Sequence, residues 1–90
     1  MQDEEALYDQ GNQAEELLKN NTFNNIVNSL VEEAFQGFVN SKPEEADQRE
    51  QSYFHYRGLV GVVHTLKQRV AIRDEILTKR EAEANDNSGE

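Results

Sequence analysis

An apolar stripe runs along the second half of the chain. Between positions 53 and 77, large apolar side chains recur at alternating intervals of three and four residues, interrupted only by Arg73. The stem of Arg73 can pack on this stripe while its head pairs with a carboxylate. This spacing places the apolar side chains along one side of an α-helix, and the pattern predicts a long helix over about 44–80, with Gly58 and Gly61 in its interior. The positions that form this seam are Tyr56, Leu59, Val63, Leu66, Val70 and Leu77.

A wider stripe precedes it and predicts another helix over about 22–40, with Thr22 as a suitable N-cap. Gly37 weakens its last turn and lets another backbone approach closely. Phe35 and Val39 extend the stripe beyond what one partner helix would cover, which indicates a further contact surface. The stripe consists of Phe23, Ile26, Val27, Leu30, Val31, Ala34 and Phe38.

A short connection around Pro43 separates the two predicted helices. Two capping registers compete for the start of the long helix, Ser41 with Glu44 and Asp47 with Glu50. Because short connections join antiparallel neighbours, the sequence predicts an all-α fold built on an antiparallel helical hairpin.

The chain ends carry few large apolar groups. Residues 1–13 are predicted to form an acidic flexible tail, residues 14–20 a short helix, and residues 81–90 an acidic disordered tail, leaving 14–80 as the folded domain. The long helix extends past its partner by roughly 24 Å, so residues 70–77 need cover from 14–20 or from a second chain. Because so small a hairpin buries little surface, we expect a homo-oligomer, most simply a dimer that forms a four-helix bundle.

A row of small residues beside the seam suggests where a second helix could approach, and the uncovered end of the seam adds further positions. The full candidate interface consists of Phe35, Val39, Phe54, Gly58, Gly61, Thr65, Val70, Arg73 and Leu77.

Charge is unevenly distributed. The net charge is −9, yet residues 52–80 hold six basic and only two acidic side chains. This asymmetry favours recognition between the helices or between copies of the chain. Nucleic-acid binding is a further possibility, although acidic termini would compete for the basic side chains. Its candidate contacts are Lys67, Arg69, Lys79 and Arg80.

The sequence lacks a recognisable catalytic or metal-binding arrangement. Cysteine is absent, and His55 and His64, nine positions apart, lie on opposite sides of the predicted helix. Neither histidine follows a carboxylate at the spacing of di-metal bundles, and Gly58 and Gly61 form no phosphate-binding loop. We therefore expect no enzyme activity and no cofactor. No apolar run approaches the roughly 20 residues that cross a bilayer, and the acidic start is unlike an export signal, so we expect no membrane association.

From residue 23 to 66 the chain resembles small helical-hairpin proteins encoded in tailed-bacteriophage and prophage genomes. The similarity rests on an apolar helix followed by Asn40-Ser41-Lys42-Pro43, acidic residues, Arg49-Glu50, Tyr53, Gly58-Leu59 and Val63. The resemblance implies a non-enzymatic interaction or assembly protein of the bacterial cytoplasm or the virion, and carries over no functional residues. The alternative is an acidic inhibitor that imitates nucleic acid against a host enzyme. The acidic face for it would come from Glu32, Glu33, Glu44, Glu45 and Asp47.

Overall fold

The structure, a computed structural model, describes residues 3–88 and contains three helices: α1 (Glu4–Leu18), α2 (Asn21–Val39) and α3 (Ala46–Ser88). The predicted all-α class is confirmed, and no strand occurs within residues 3–88. The chain divides into a central unit, Leu18–His64, and a terminal unit, Met1–Leu17 with Thr65–Glu90. α3 contributes its first part to the central unit and its later part to the terminal unit.

In the central unit, α2 packs antiparallel to the first part of α3, as the stripes predict. The α2 N-cap is Asn20 rather than the predicted Thr22, since the Asn20 side-chain oxygen accepts a hydrogen bond from the Phe23 N–H at 2.8 Å. This bond satisfies one of the amide groups that a helix start leaves without an intrahelical partner. Near the other end of α2, a Cβ added to Gly37 would lie 2.8 Å from the Ser52 hydroxyl oxygen. The group that approaches Gly37 is therefore the Ser52 side chain, not the backbone that the sequence predicted.

Arg49 organises the connection between α2 and α3. Its guanidinium donates to the Lys42 carbonyl at 2.6 Å and to the Pro43 carbonyl at 3.4 Å. Residues 42–45 form a turn in which the Glu45 N–H donates to the Lys42 carbonyl at 2.9 Å, and the Glu45 carboxylate accepts from the Lys42 N–H at 2.7 Å. The long helix starts at Ala46 rather than near residue 44, and neither predicted capping register is used, because Pro43 occupies the turn.

In the terminal unit, α1 packs antiparallel to the later part of α3. Gly11 and Ala14 are the two buried residues among the described part of the chain, and both lie on α1. With Leu7 and Leu18 they repeat the four-three-four spacing of a helix seam. The small side chains allow the α1 backbone to approach α3 closely, so α1 covers the end of the seam that α2 does not reach.

The ends of the chain are more helical than the composition predicts. The short helix expected over about 14–20 is the end of α1, which begins at Glu4, so residues 4–13 are not a flexible tail. α3 continues through 81–88, which was expected to be disordered, and residues 81–85 are exposed. Extending a formed helix needs no new nucleus, and Glu81 to Ala84 are good helix formers, which accounts for the continuation. The remainder of both predicted tails, residues 1–2 and 89–90, lies outside the described residues.

Candidate interaction surfaces

The central unit leaves most of its large apolar side chains in contact with solvent. None of its residues, all of which the structure describes, is buried. By contrast, Leu17 and Ile72 are the exposed large apolar residues found in the described part of the terminal unit. Those of the central unit are Ile26, Leu30, Phe35, Phe38, Val39, Tyr53, Phe54, Tyr56, Val60 and Val62.

Four aromatic side chains form one of two faces on the central unit. This aromatic face consists of Phe35 and Phe38 of α2 with Tyr53 and Tyr56 of α3, which line a cleft of about 290 Å³ together with Ala34 and Ser52. None of these lining residues carries a charge. The Tyr53 and Phe54 rings are tilted by 58° with centroids 5.9 Å apart, a favourable geometry for an aromatic pair.

The second face, which we call the mixed face, combines apolar and ionisable groups. It borders a cleft of about 580 Å³ that is lined by Leu30, Ala34, Ser52, Phe54, Gly58, Leu59 and Val62, but also by Glu33 and His55. A Cβ added to Gly58 or Gly61 would meet nothing within 4 Å. These two glycines, predicted from the sequence as an interface, are thus exposed, and Phe54 lies beside them.

The remaining predicted interface residues are divided between the units. Val39 is exposed near the end of α2. Thr65, Val70, Arg73 and Leu77 belong to the terminal unit. Val70 and Leu77 are half-buried there, and Arg73 contacts α1 directly. Residues 70–77 do not require a second chain to cover them, because α1 does so.

Arg73 occupies the apolar seam while keeping its charge paired. Its guanidinium forms an ion pair with Glu15 of α1 and donates a hydrogen bond to the Asn12 side-chain oxygen at 2.7 Å. A second ion pair joins it to Asp74 at 2.9 Å, and only 12% of its side chain is exposed. Hydrogen bonds with Glu15, and then with Asp74, raise the pKa of Arg73 above its ordinary value. The sequence-based expectation that its stem packs while its head pairs with a carboxylate is confirmed.

Arg80 forms a second cluster with the start of α1. Its guanidinium contacts the carboxylates of Glu4 at 3.0 Å and Glu5 at 3.1 Å and lies 5.0 Å from the centre of the Tyr8 ring. The hydrogen bonds with Glu5, and then with Glu4, raise the pKa of Arg80. Of the four predicted nucleic-acid contacts, Arg80 is therefore engaged within the chain, while Lys67, Arg69 and Lys79 are exposed.

Among the described side chains, those of residues 3–85, no group of three histidine, aspartate or glutamate residues could hold a metal ion. Nor does any helix there have an apolar stretch sufficient to cross a membrane. The structure instead concentrates exposed apolar surface on the central unit.

Two features of these surfaces were missed from the sequence. Tyr53 and Tyr56 were assigned to the seam region rather than to an exposed aromatic face with Phe35 and Phe38. Gly11 was treated as part of a tail, although its spacing from Leu7, Ala14 and Leu18 matches a seam. The available signal was the four-three-four interval, which a glycine and an alanine make hard to see on a hydrophobicity scale.

Comparison of the chain with protein-family models, with curated proteins and with solved structures gave no match.

Proposed function

We propose that this protein is a non-enzymatic interaction or assembly module that associates with itself through its central unit. The observation that carries the proposal is that Leu18–His64, a segment described in full, exposes ten large apolar side chains and has no buried residue. Contiguous apolar surface of this kind is typical of protein contact sites.

The size of the central unit supports self-association. A hairpin of this length rarely supplies enough buried apolar area to offset the conformational entropy lost on folding. Pairing two hairpins into a four-helix bundle covers apolar surface on both at once. Oligomers of identical chains most often close as twofold dimers, so a dimer is the simplest assembly.

The distribution of charge also favours a second copy of the chain as the partner. The net charge of the whole chain is −9, but the six acidic and four basic residues of the central unit leave it at only −2. Repulsion between two copies is therefore small at the surface that would be buried. The strongly acidic segments lie elsewhere in the chain.

The sequence resemblance supplies a setting for this activity. We propose that the protein acts among the components of a tailed bacteriophage or prophage, in the bacterial cytoplasm or as part of the particle. In that setting a small helical module contributes by contact rather than by catalysis.

Sedimentation velocity over a concentration series tests self-association, with circular dichroism recorded on the same samples to establish that the chain is folded. We expect a dimer at low micromolar concentration. A helical, folded monomer throughout the series would refute the proposal.

A further inference from the structure

We propose that the aromatic face, formed by Phe35, Phe38, Tyr53 and Tyr56, is the surface through which two copies of this chain pair, each presenting the same face to the other. This inference rests on the proposed function and identifies the surface that performs it. A twofold axis through the face brings the same four side chains of each copy together.

The exposed area of these rings supplies roughly half of the area that a small dimer interface requires. Each of the four side chains retains between 40% and 54% of its surface in contact with solvent. Aromatic side chains bury about 150–250 Å² each when fully covered, so eight rings in a dimer would contribute on the order of 700 Å². Stable interfaces bury about 1,200–2,000 Å² in total, and neighbouring apolar groups such as Val60 can add to the aromatic contribution.

The aromatic face and the mixed face differ in charge, and this difference favours the aromatic face as the contact surface. Residues lining the aromatic cleft carry no charge, whereas the mixed face includes Glu33 and His55. Covering the mixed face with its own copy would bring two Glu33 carboxylates into a largely apolar interface, where desolvation of a charge is costly. The tyrosine hydroxyls are suited to the rim of an interface, because the ring is covered while the oxygen stays hydrated.

The aromatic face is also held in place before any partner arrives. Ser52, which lines its cleft, lies against Gly37 of the facing helix. Tyr53 packs against the Phe54 ring, and Arg49 fixes the connection one turn earlier. A preformed surface loses less side-chain freedom on binding, which favours association.

A matched pair of double variants tests the assignment. Phe35→Gln with Tyr53→Gln removes two rings from the aromatic face, and Ile26→Gln with Val62→Gln removes two similarly exposed side chains from elsewhere on the unit. Glutamine preserves helix propensity, and none of the four residues is buried, so the fold is retained. Sedimentation should show a dissociation constant raised by at least about 100-fold in the aromatic variant and by less than about threefold in the control.

Tyrosine fluorescence supplies a second measurement that needs no change in the aromatic face. The chain has no tryptophan and three tyrosines, of which Tyr53 and Tyr56 lie on the face and Tyr8 lies beside Arg80. In a Tyr8→Phe variant, emission comes from the two face tyrosines alone. We expect acrylamide to quench this emission less effectively as protein concentration rises through the range in which the dimer forms.

The outcomes separate this inference from the proposed function. A wild-type monomer refutes both. A wild-type dimer that is lost in the control variant alone, or in neither variant, shows that the aromatic face is not the contact surface, while self-association stands. Loss in both variants shows that the contact is not confined to the aromatic face, which overturns the assignment. Quenching of the face tyrosines that stays unchanged through dimer formation overturns the inference in the same way. Selective dissociation of the aromatic variant, together with reduced quenching, supports it.

Discussion

A methyl group added to Gly11 of α1 would lie 2.7 Å from the Arg69 carbonyl oxygen of α3. The Arg73 side chain crowds the same position. Gly11→Ala therefore forces the two helices apart, even though alanine is the better helix former. We expect a net loss of about 1–2 kcal/mol in the free energy of unfolding, measured by urea denaturation monitored by circular dichroism.

Gly58→Ala is the matched control, because a Cβ there would meet nothing within 4 Å. This change should increase stability by about 0.5–1 kcal/mol through helix propensity alone. An unchanged or increased stability in Gly11→Ala would show that α1 does not pack as closely on α3 as the structure indicates.

Most of α2 and of the seam of α3 could be predicted from the sequence, because both are local periodic patterns with large apolar side chains. The seam residues Leu59, Val63 and Val70 are half-buried as their spacing predicts. Even the interruption at Arg73 was interpreted correctly, since a long side chain can pack its stem and pair its head. Local periodicity was sufficient for these features.

The beginning of α1 was harder to predict from the sequence. Asp9 to Gln13 consists of polar residues and a glycine, which have low helix propensity or little apolar surface. Its helix is supported by groups distant in the chain, such as Arg80, which bonds to Glu4 and Glu5. Tertiary contacts of this kind override local propensity, and no local pattern reveals them. The aromatic face was missed for a related reason, since its rings come from two helices.

The cap at Asn20 offers a test of the boundary between α1 and α2. Asn20→Ala removes the side-chain acceptor of the Phe23 N–H and should cost about 1 kcal/mol in unfolding free energy. Asn20→Ser should retain most of that stability, because serine also caps helix starts. Thermal unfolding of both variants gives the comparison, and equal melting temperatures for alanine, serine and wild type would argue against the cap.

Arg49 provides a test of the connection between α2 and α3. Arg49→Lys keeps the charge but lacks the planar group that reaches the Lys42 and Pro43 carbonyls together. We expect a loss of about 1 kcal/mol in unfolding free energy for this variant. Arg57→Lys, a change of the same kind on an exposed position of α3, is the control and should leave stability unchanged. Equal stability of the two variants would mean that the guanidinium contacts contribute nothing.

Glu15 and Glu16 are neighbours in sequence, but Glu15 is paired with Arg73 whereas Glu16 is exposed to solvent, so their variants test the ion pair. Glu15→Gln weakens the ion pair with Arg73 and should lower the melting temperature, whereas Glu16→Gln, at an exposed position, should not. Since the pKa of Arg73 is raised, its charge and the stability it contributes are present below the ordinary arginine pKa and are lost only above the raised value. The difference between Glu15→Gln and wild type should therefore stay constant from neutral to mildly alkaline pH. A difference that disappears in this range would contradict the pairing.

Hydrogen exchange measured by mass spectrometry, at protein concentrations well below and well above the midpoint of association, tests self-association through the central unit most directly. We predict that protection of residues 21–39 and 46–64 increases with concentration, because a partner that binds only the folded unit stabilises it. Protection of residues 4–18 should change much less. Protection that is independent of concentration along the whole chain, or that increases only in residues 4–18, would contradict association through the central unit.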